Sequence, residues 1–195
     1  MLAAALMAAG CAHRPEFNDG LDFGERQARL LGIDRWEMRG RLAIDTGERA
    51  FQARFRWRED SGEILLTVRG PLGAGSFQID GTADSLTVQS RGERLVLTDP
   101  ESELSQMFGW WLPVTSLSAW LLGLPAPNYP AESLENQTGS LARLDQRLWR
   151  LEYEEYQVAE GLLVPRKMTM NHGSVELRLT VDAWGPLAQT TDALN

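Results

Sequence analysis

The stretch FQARFRWR, residues 51–58, alternates strictly between apolar or small residues and polar ones. The first set is Phe51, Ala53, Phe55 and Trp57, and the second is Gln52, Arg54, Arg56 and Arg58. Alternate side chains of a β-strand point to opposite faces of the sheet, so this stretch has one dry face and one wet face. That pattern is typical of an antiparallel sheet with one solvated side. The stretch WEMRGRLAI, residues 36–44, predicts a second strand of the same kind.

Segments with a period of two continue along most of the chain, separated by turn signals such as Asp80-Gly81 and Arg91-Gly92. Further strands are predicted at 63–69, 76–80, 85–89, 94–98, 140–144, 148–156, 163–170 and 174–183. A parallel sheet would need a helix between each strand and the next, and such regularly intervening helices are missing from the sequence. We therefore expect a mainly β fold of about ten antiparallel strands, arranged as one curved sheet or an open barrel.

Two regions depart from this pattern. Residues 21–33 place Leu30 and Leu31 among charged residues and predict a short amphipathic helix before the first strand. Residues 99–125 are apolar and rich in tryptophan, and they begin with Asp99 and Pro100, a typical helix start. The first helix of this segment is expected to end at Gly109.

A second short helix is predicted in the same segment, capped by Thr115 or Ser116 and ending before Gly123. Its apolar residues are Leu117, Trp120 and Leu121. Since residues 99–125 are too apolar to lie free in water, we expect them to cover the dry face or the mouth of the sheet as a lid.

The composition excludes several functions. The chain has 195 residues, 43% of them hydrophobic, as expected for one globular domain. Its formal charge of −8 and the lack of a basic run argue against nucleic acid as a partner. His13 and His172 are the only histidines, which is too few for a typical metal site, and no Gly-x-Ser-x-Gly elbow is present. The sequence therefore predicts no metal, no cofactor and no enzymatic activity.

The N-terminus resembles a bacterial lipoprotein signal. Residues 1–9 are apolar but much shorter than the roughly 20 residues that span a bilayer. The sequence AAGC, residues 8–11, resembles a lipobox, in which Cys11 receives the lipid and becomes the first residue of the mature protein. No basic n-region precedes it, as expected if the start site were placed too far downstream. Ala12 follows the cysteine instead of aspartate, which favours the outer membrane.

These observations divide the chain into three parts. We expect a lipoprotein signal peptide at 1–10, a lipidated cysteine and flexible tether at 11–20, and a single folded domain at 21–195. The polar residues 12–20 can reach roughly 30 Å when fully extended. The folded domain would thus stay close to the bilayer.

Several segments together resemble the LolB family of outer-membrane lipoproteins. The resemblance covers nearly the whole mature chain, and its most specific part is the lid segment. The matching segments are RGRLAI (39–44), FQARFRW (51–57), LLTVRGPLGAGSFQI (65–79) with the family's Pro-Leu-Gly, LPVTSLSAWLLGLP (112–125), LWRLEY (148–153) and LTVDAW (179–184). The related LolA carriers share the fold but lack the lipobox and the Pro-Leu-Gly loop.

The resemblance implies an unclosed antiparallel β-barrel of about ten or eleven strands, with a helical lid over a hydrophobic cavity. It also implies a monomer, anchored by lipid to the periplasmic face of the outer membrane. Its partners are lipoprotein acyl chains and the periplasmic carrier LolA. It would receive triacylated lipoproteins from the carrier and insert them into the outer membrane. In the family, an exposed leucine of this loop acts in membrane insertion. The resemblance implies the same role for Leu72, which lies between Pro71 and Gly73.

The residues expected to line the acyl-chain cavity come from the dry faces of the strands and from the lid. They are Met38, Leu42, Ile44, Phe55, Trp57, Ile64, Leu66, Trp120, Leu121, Trp149, Leu151 and Tyr153. Two other functions remain open at this point. One is a lipocalin-like carrier of a small apolar ligand, and the other is an envelope lipoprotein whose half-barrel binds a protein partner.

Overall fold

Eleven antiparallel strands form one sheet in the computed structural model, which describes residues 19–71 and 75–189. The strands are β1 (Arg35–Asp45), β2 (Ala50–Asp60), β3 (Glu63–Arg69), β4 (Phe77–Thr82), β5 (Ser85–Ser90), β6 (Glu93–Leu97), β7 (Ala131–Glu135), β8 (Leu141–Gln146), β9 (Trp149–Ala159), β10 (Leu162–His172) and β11 (Val175–Trp184). The helices are α1 (Phe23–Leu31), α2 (Pro100–Phe108) and α3 (Val114–Leu121).

The spatial order of the strands is β6-β5-β4-β3-β2-β1-β11-β10-β9-β8-β7. The first and last strands of the chain therefore pair with each other at the centre, and β6 and β7 are the two edges. Since β6 and β7 do not pair with each other, the barrel is unclosed. The predicted fold class is confirmed.

Ten of the eleven strands were predicted from the sequence, and β7 was missed. Its sequence, AESLE, contains a single large apolar residue, Leu134, and all five of its residues are exposed. A strand that covers no core has no dry face, so hydrophobic periodicity cannot reveal it. It forms only because β8 offers it a partner.

Helix α1 confirms the predicted amphipathic helix and attaches it to the sheet. Asp22 and Glu25 form a capping box at its start. Arg26 is buried and pairs with Asp19 at 2.6 Å, and its guanidinium also donates to the carbonyl of Gly139 in the β7–β8 turn. A buried charge needs such partners to offset its lost hydration. These bonds fix α1 against the β7 side of the sheet.

The segment 99–125 folds as two short helices, as predicted, but the start of the second differs. Helix α2 has Asp99 at its N-cap and Gly109 at its end. Helix α3 begins after Pro113, so the predicted caps Thr115 and Ser116 lie in its first turn. The backbone N–H of Thr115 instead donates to the Glu101 carboxylate on α2, which supplies the missing cap from another element.

The pairing of β1 with β11 depends on a glycine. The register shifts by one residue at Arg39/Gly40, and a Cβ added at Gly40 would lie 2.0 Å from the carbonyl oxygen of Thr180 on β11. Such a contact is far inside van der Waals distance, so any side chain would force the two central strands apart.

We expect Gly40→Ala to lower the free energy of unfolding by about 1–3 kcal/mol, because the methyl group meets a backbone atom that cannot move freely. Gly24→Ala in α1 is the control, since its Cβ would meet only Asp22 Oδ1 at 3.4 Å and alanine favours helix. Thermal melting followed by circular dichroism measures both. Equal midpoints for the two variants would contradict this account of the strand pairing.

Candidate functional site

A cavity of about 300 Å³ lies between the inner face of the sheet and the segment 99–125, here called the lid. Every residue that lines it is apolar. The sheet contributes Met38, Leu42, Ile44, Phe51, Phe55, Trp57, Leu66, Val68, Phe77, Ile79, Met170, Leu177 and Leu179, and the lid contributes Phe108, Trp110, Leu112, Leu117 and Leu121. No charged side chain is among them, and the only polar side-chain groups are the indole N–H groups of Trp57 and Trp110, the first of which donates to Glu59. The cavity therefore suits hydrocarbon.

The alternation of the strands explains this lining. On β2, Phe55 and Trp57 face inward and are buried, whereas Arg54 and Arg56 between them are exposed. Trp57 lies opposite Met38 on β1 and Leu66 on β3, so three neighbouring strands present one continuous apolar surface.

The C-terminal part of the lid is fixed to the sheet by a buried amide. Gln146, at the end of β8, accepts hydrogen bonds from the indole N–H of Trp120 at 2.7 Å and from the backbone N–H of Ala126 at 2.8 Å. Its own amide donates to the carbonyl oxygen of Ala126. The hydroxyl of Tyr153 donates to the carbonyl oxygen of Trp120 at 2.9 Å. Buried polar groups that are fully paired in this way hold one defined geometry.

The N-terminal part of the lid is held by an ion pair. Arg147, in the β8–β9 turn, contacts both carboxylate oxygens of Glu101 on α2, at 2.7 and 2.9 Å. The same guanidinium donates to the hydroxyl groups of Thr115 and Ser116 on α3. It also stacks over the ring of Tyr129, 4.2 Å from the ring centre. A single side chain of the sheet thus joins both lid helices.

Glu101 is charged in this arrangement. Partial burial would raise the pKa of Glu101, but hydrogen bonds from Arg147 and Thr115 outweigh that effect and hold the pKa below its usual value. By contrast, burial raises the pKa of Glu59, which lies on β2 beneath α3, although hydrogen bonds from Ser118 and Trp57 partly oppose the shift.

Seven of the twelve residues predicted to line the cavity do so: Met38, Leu42, Ile44, Phe55, Trp57, Leu66 and Leu121. The other five, Ile64, Trp120, Trp149, Leu151 and Tyr153, are buried in the core and are not part of the lining. Over β9 the lid lies directly on the sheet, as the Tyr153–Trp120 hydrogen bond shows, and leaves no space there. Trp149 is covered by the rings of Trp110 and His172.

The sequence analysis did not assign eleven of the lining residues to the cavity. Three of them, Met170, Leu177 and Leu179, belong to strands whose alternation was recognised, so their inward direction could have been read from the sequence. Trp110 and Leu112 lie between the two lid helices, where no periodicity indicates which side chains point inward.

The predicted membrane loop lies partly outside the described residues. Pro71 is exposed and follows the end of β3 by two positions. Leu72 and Gly73 lie outside the described residues, as do Cys11, His13 and the rest of the predicted signal peptide and tether up to residue 18.

Residues 19–71 and 75–189 contain neither a metal-binding cluster nor a membrane-spanning helix. No group of three or more His, Cys, Asp or Glu side chains in these ranges is placed to hold a metal ion. No helix in these ranges has the length and apolarity needed to cross a bilayer.

The half-open sheet with its lid defines a structural class, the LolA-like fold. A LolA superfamily protein from Nitrosomonas europaea matches with a TM-score of 0.53 and 9% identity, over 86% of this chain and 94% of that one. A putative outer membrane lipoprotein-sorting domain from Vibrio parahaemolyticus also has a TM-score of 0.53, at 12% identity over 83% of this chain and 89% of that one. At these identities the likeness establishes the fold alone.

Sequence comparison gives the family. The model of the family "Outer membrane lipoprotein LolB" matches residues 34–184. The outer-membrane lipoprotein LolB of Nitrosococcus oceani is 34% identical over 94% of both chains, and that of Chromohalobacter salexigens is 30% identical over 93% of this chain and 87% of its own. This chain belongs to the LolB family, and the resemblance seen in the sequence is confirmed.

We expect Glu101→Gln to loosen the N-terminal part of the lid by about 1.5–3 kcal/mol, because it breaks a charged hydrogen-bond pair in a partly buried place. Hydrogen exchange of the α2 amides should become faster, with little change in β1 and β2. The exposed pair Arg166–Glu155 offers a control, and Glu155→Gln should alter exchange little.

The same contact should depend on pH. A carboxyl group whose pKa is lowered by folding stabilises the fold above its unfolded pKa and loses that effect as the pH falls through its lowered pKa. Acid should therefore speed α2 exchange in the wild type and not in Glu101→Gln. An acid effect of equal size in both proteins would contradict the assignment to Glu101.

Proposed function

We propose that this chain is a lipid-anchored acceptor of the outer membrane, which takes triacylated lipoproteins from a LolA-type carrier and inserts them into that membrane. The observation that carries the proposal is the lining of the cavity, which consists only of apolar side chains. The names of its relatives, outer-membrane lipoproteins, support the location. The activity needs no catalytic group and no nucleotide, since it moves a lipid between apolar surfaces.

The energetics of acyl chains require such a cavity. Burying one CH₂ group contributes about 0.8 kcal/mol, so a sixteen-carbon chain contributes about 12 kcal/mol. Release of such a chain into water is correspondingly slow. Cargo must pass directly from the carrier to the acceptor, and then to the bilayer. A preference of only about 1.4 kcal/mol at each step gives a tenfold bias.

The cavity is small for that cargo. Its volume of about 300 Å³ lies at the lower end of the range of ligand pockets, roughly 300–1,000 Å³. To admit several acyl chains, the lid must move away from the sheet. Gln146 fixes the C-terminal part of the lid through buried bonds, whereas Arg147 holds the N-terminal part through bonds that are only partly buried. We infer that α2 and the residues after it move first, because their contacts are more accessible to water.

The anchor and the loop complete the proposal. Cys11 would carry the lipid, and residues 12–20 would act as the tether. Leu72 would enter the acyl region of the membrane during insertion, as the family resemblance implies. Inserting one leucine contributes about 1.5–3 kcal/mol, which is too little to anchor the protein but enough to direct the loop toward the bilayer.

Occupation of the cavity by acyl chains can be tested with Leu42→Asp. Leu42 is a half-buried lining residue, and a carboxylate there would meet hydrocarbon without a partner. We expect the affinity for a triacylated lipopeptide, followed by tryptophan fluorescence from Trp57 and Trp110, to fall at least tenfold. Leu134→Asp places the same charge on β7, where Leu134 is 58% exposed, and should bind normally.

A copy of the peptide without acyl chains should give no fluorescence change in any variant. Equal responses to both peptides, or equal losses in both variants, would argue against a hydrocarbon-binding cavity.

The membrane step can be separated from cargo acceptance with Leu72→Glu. Because the glutamate is costly to insert into the acyl region, delivery of the lipopeptide to liposomes should fail, while acceptance from the carrier and the melting temperature should stay close to those of the wild type. Leu31→Glu is the control: Leu31 is an exposed leucine at the end of α1, near the opposite ends of the strands. Normal delivery by Leu72→Glu, or loss of acceptance together with delivery, would refute the assigned role.

A further inference from the structure

Five arginines cluster on the outer face of β1, β2 and β3, and neither the cavity nor the lid uses them. This arginine face consists of Arg39, Arg41, Arg54, Arg56 and Arg69, all exposed. They alternate with inward-facing residues such as Phe55, so their side chains lie on the side of the sheet opposite the cavity. Together with Thr67 and Asp182 they line an open groove across the three strands.

The arginines lie directly opposite one another in the strand register. Arg39 pairs with Arg56, and Arg54 pairs with both Arg41 and Arg69. Like charges in directly opposed positions destabilise a sheet. The alternation of the strands needs polar residues at these outward-facing positions, but it does not need cationic ones. Folding alone therefore does not explain why five of these positions are arginine.

Only part of this charge is neutralised within the protein. Arg41 pairs with Asp182 at 2.9 Å and Arg56 with Glu37 at 2.7 Å. Arg39, Arg54 and Arg69 have no ion pair in the part of the chain that the structure describes. A cationic surface therefore persists on a chain whose overall charge is −8.

We propose that the arginine face binds the anionic phospholipid headgroups of the membrane surface. The inference rests on the proposed function, because it supplies the orientation in which the tethered domain would meet the bilayer. A guanidinium group matches the geometry of a phosphate and binds it through paired N–H donors. The groove is broad and open, which suits a surface of headgroups better than a single small anion.

The position of the arginine face selects the membrane as its partner. Arg69 is the last residue of β3, two positions before Pro71, so the row Arg69–Arg54–Arg41 begins where the chain enters the Pro71–Gly73 loop. A domain that rests this row on the headgroups brings Pro71 to the same surface. An acidic face of a partner protein would not need this continuity.

The test uses the full chain with Cys11→Ala, so that the lipid anchor does not determine membrane binding. Binding is measured by co-sedimentation, without cargo, on vesicles of phosphatidylcholine and on the same vesicles with phosphatidylglycerol added. We expect binding to the anionic vesicles only, with a strong decrease as salt is added.

The double variant Arg54→Gln and Arg69→Gln should bind the anionic vesicles about 25-fold more weakly, at about fivefold for each arginine. The control pair Arg29→Gln and Arg58→Gln removes the same charge. Arg29 lies on α1, and Arg58 lies on the same face of β2 at its far end. The control should stay within about twofold of the wild type.

Removing Arg54 and Arg69 also removes their mutual repulsion, so the test variant should melt at or above the wild-type temperature. It should still accept the triacylated lipopeptide, because neither side chain lines the cavity. Failure of the wild type to accept the lipopeptide would refute the proposed function instead, and would not bear on vesicle binding.

Three results would overturn the inference. In the first, the wild type binds neutral and anionic vesicles equally, and in the second, the two double variants lose binding to the same extent. In the third case, the test variant would keep its vesicle binding and lose only its association with the LolA-type carrier. That outcome would assign the arginine face to an acidic protein.

Discussion

The fold depends on covering one apolar face of a large sheet. The antiparallel strands other than β7 present inward side chains to a single inner surface, and within residues 19–71 and 75–189 no second sheet lies against it. The lid supplies the cover, with Trp120, Leu121 and Leu124 buried against the strands. Two short helices and their connections are smaller than the surface they cover, so part of the inner face stays unfilled. The cavity is the space that results from this mismatch.

The polar contacts of the lid determine where this cover is tight. Gln146 binds the segment around Trp120 and Ala126 with buried hydrogen bonds, and the lid lies directly on β9 there. Glu101 and Arg147 join the other part of the lid through an ion pair that is only partly buried, so water can reach it more easily than the bonds of Gln146. Strand β8 and the turn that follows it, residues 141–148, therefore hold the lid by a stronger, buried attachment and by a weaker one. An acceptor of hydrocarbon needs both, since its lid must open without unfolding the sheet.

The sequence predicted most of the fold because alternation is a local signal. The inward side of β2 was evident from residues 51–58 alone, and Asp99 with Pro100 marked the start of α2. What could not be predicted depends on contacts between distant segments. Strand β7 has no dry face, and α3 takes its cap from Glu101 on another helix. Trp149 and Phe55 both stand at apolar positions of alternating strands in the sequence. Only the path of the lid makes Trp149 part of the core and Phe55 part of the cavity wall.

The central claim is that acyl chains occupy the space between the lid and the inner face. The most direct measurement is photocrosslinking from a triacylated lipopeptide with a photoreactive group at the end of one acyl chain, followed by mass spectrometry of the adducts. The account predicts adducts on lining residues such as Leu42, Phe51 and Leu112. Adducts confined to exposed apolar residues outside the cavity, such as Leu95 and Leu134, would contradict it.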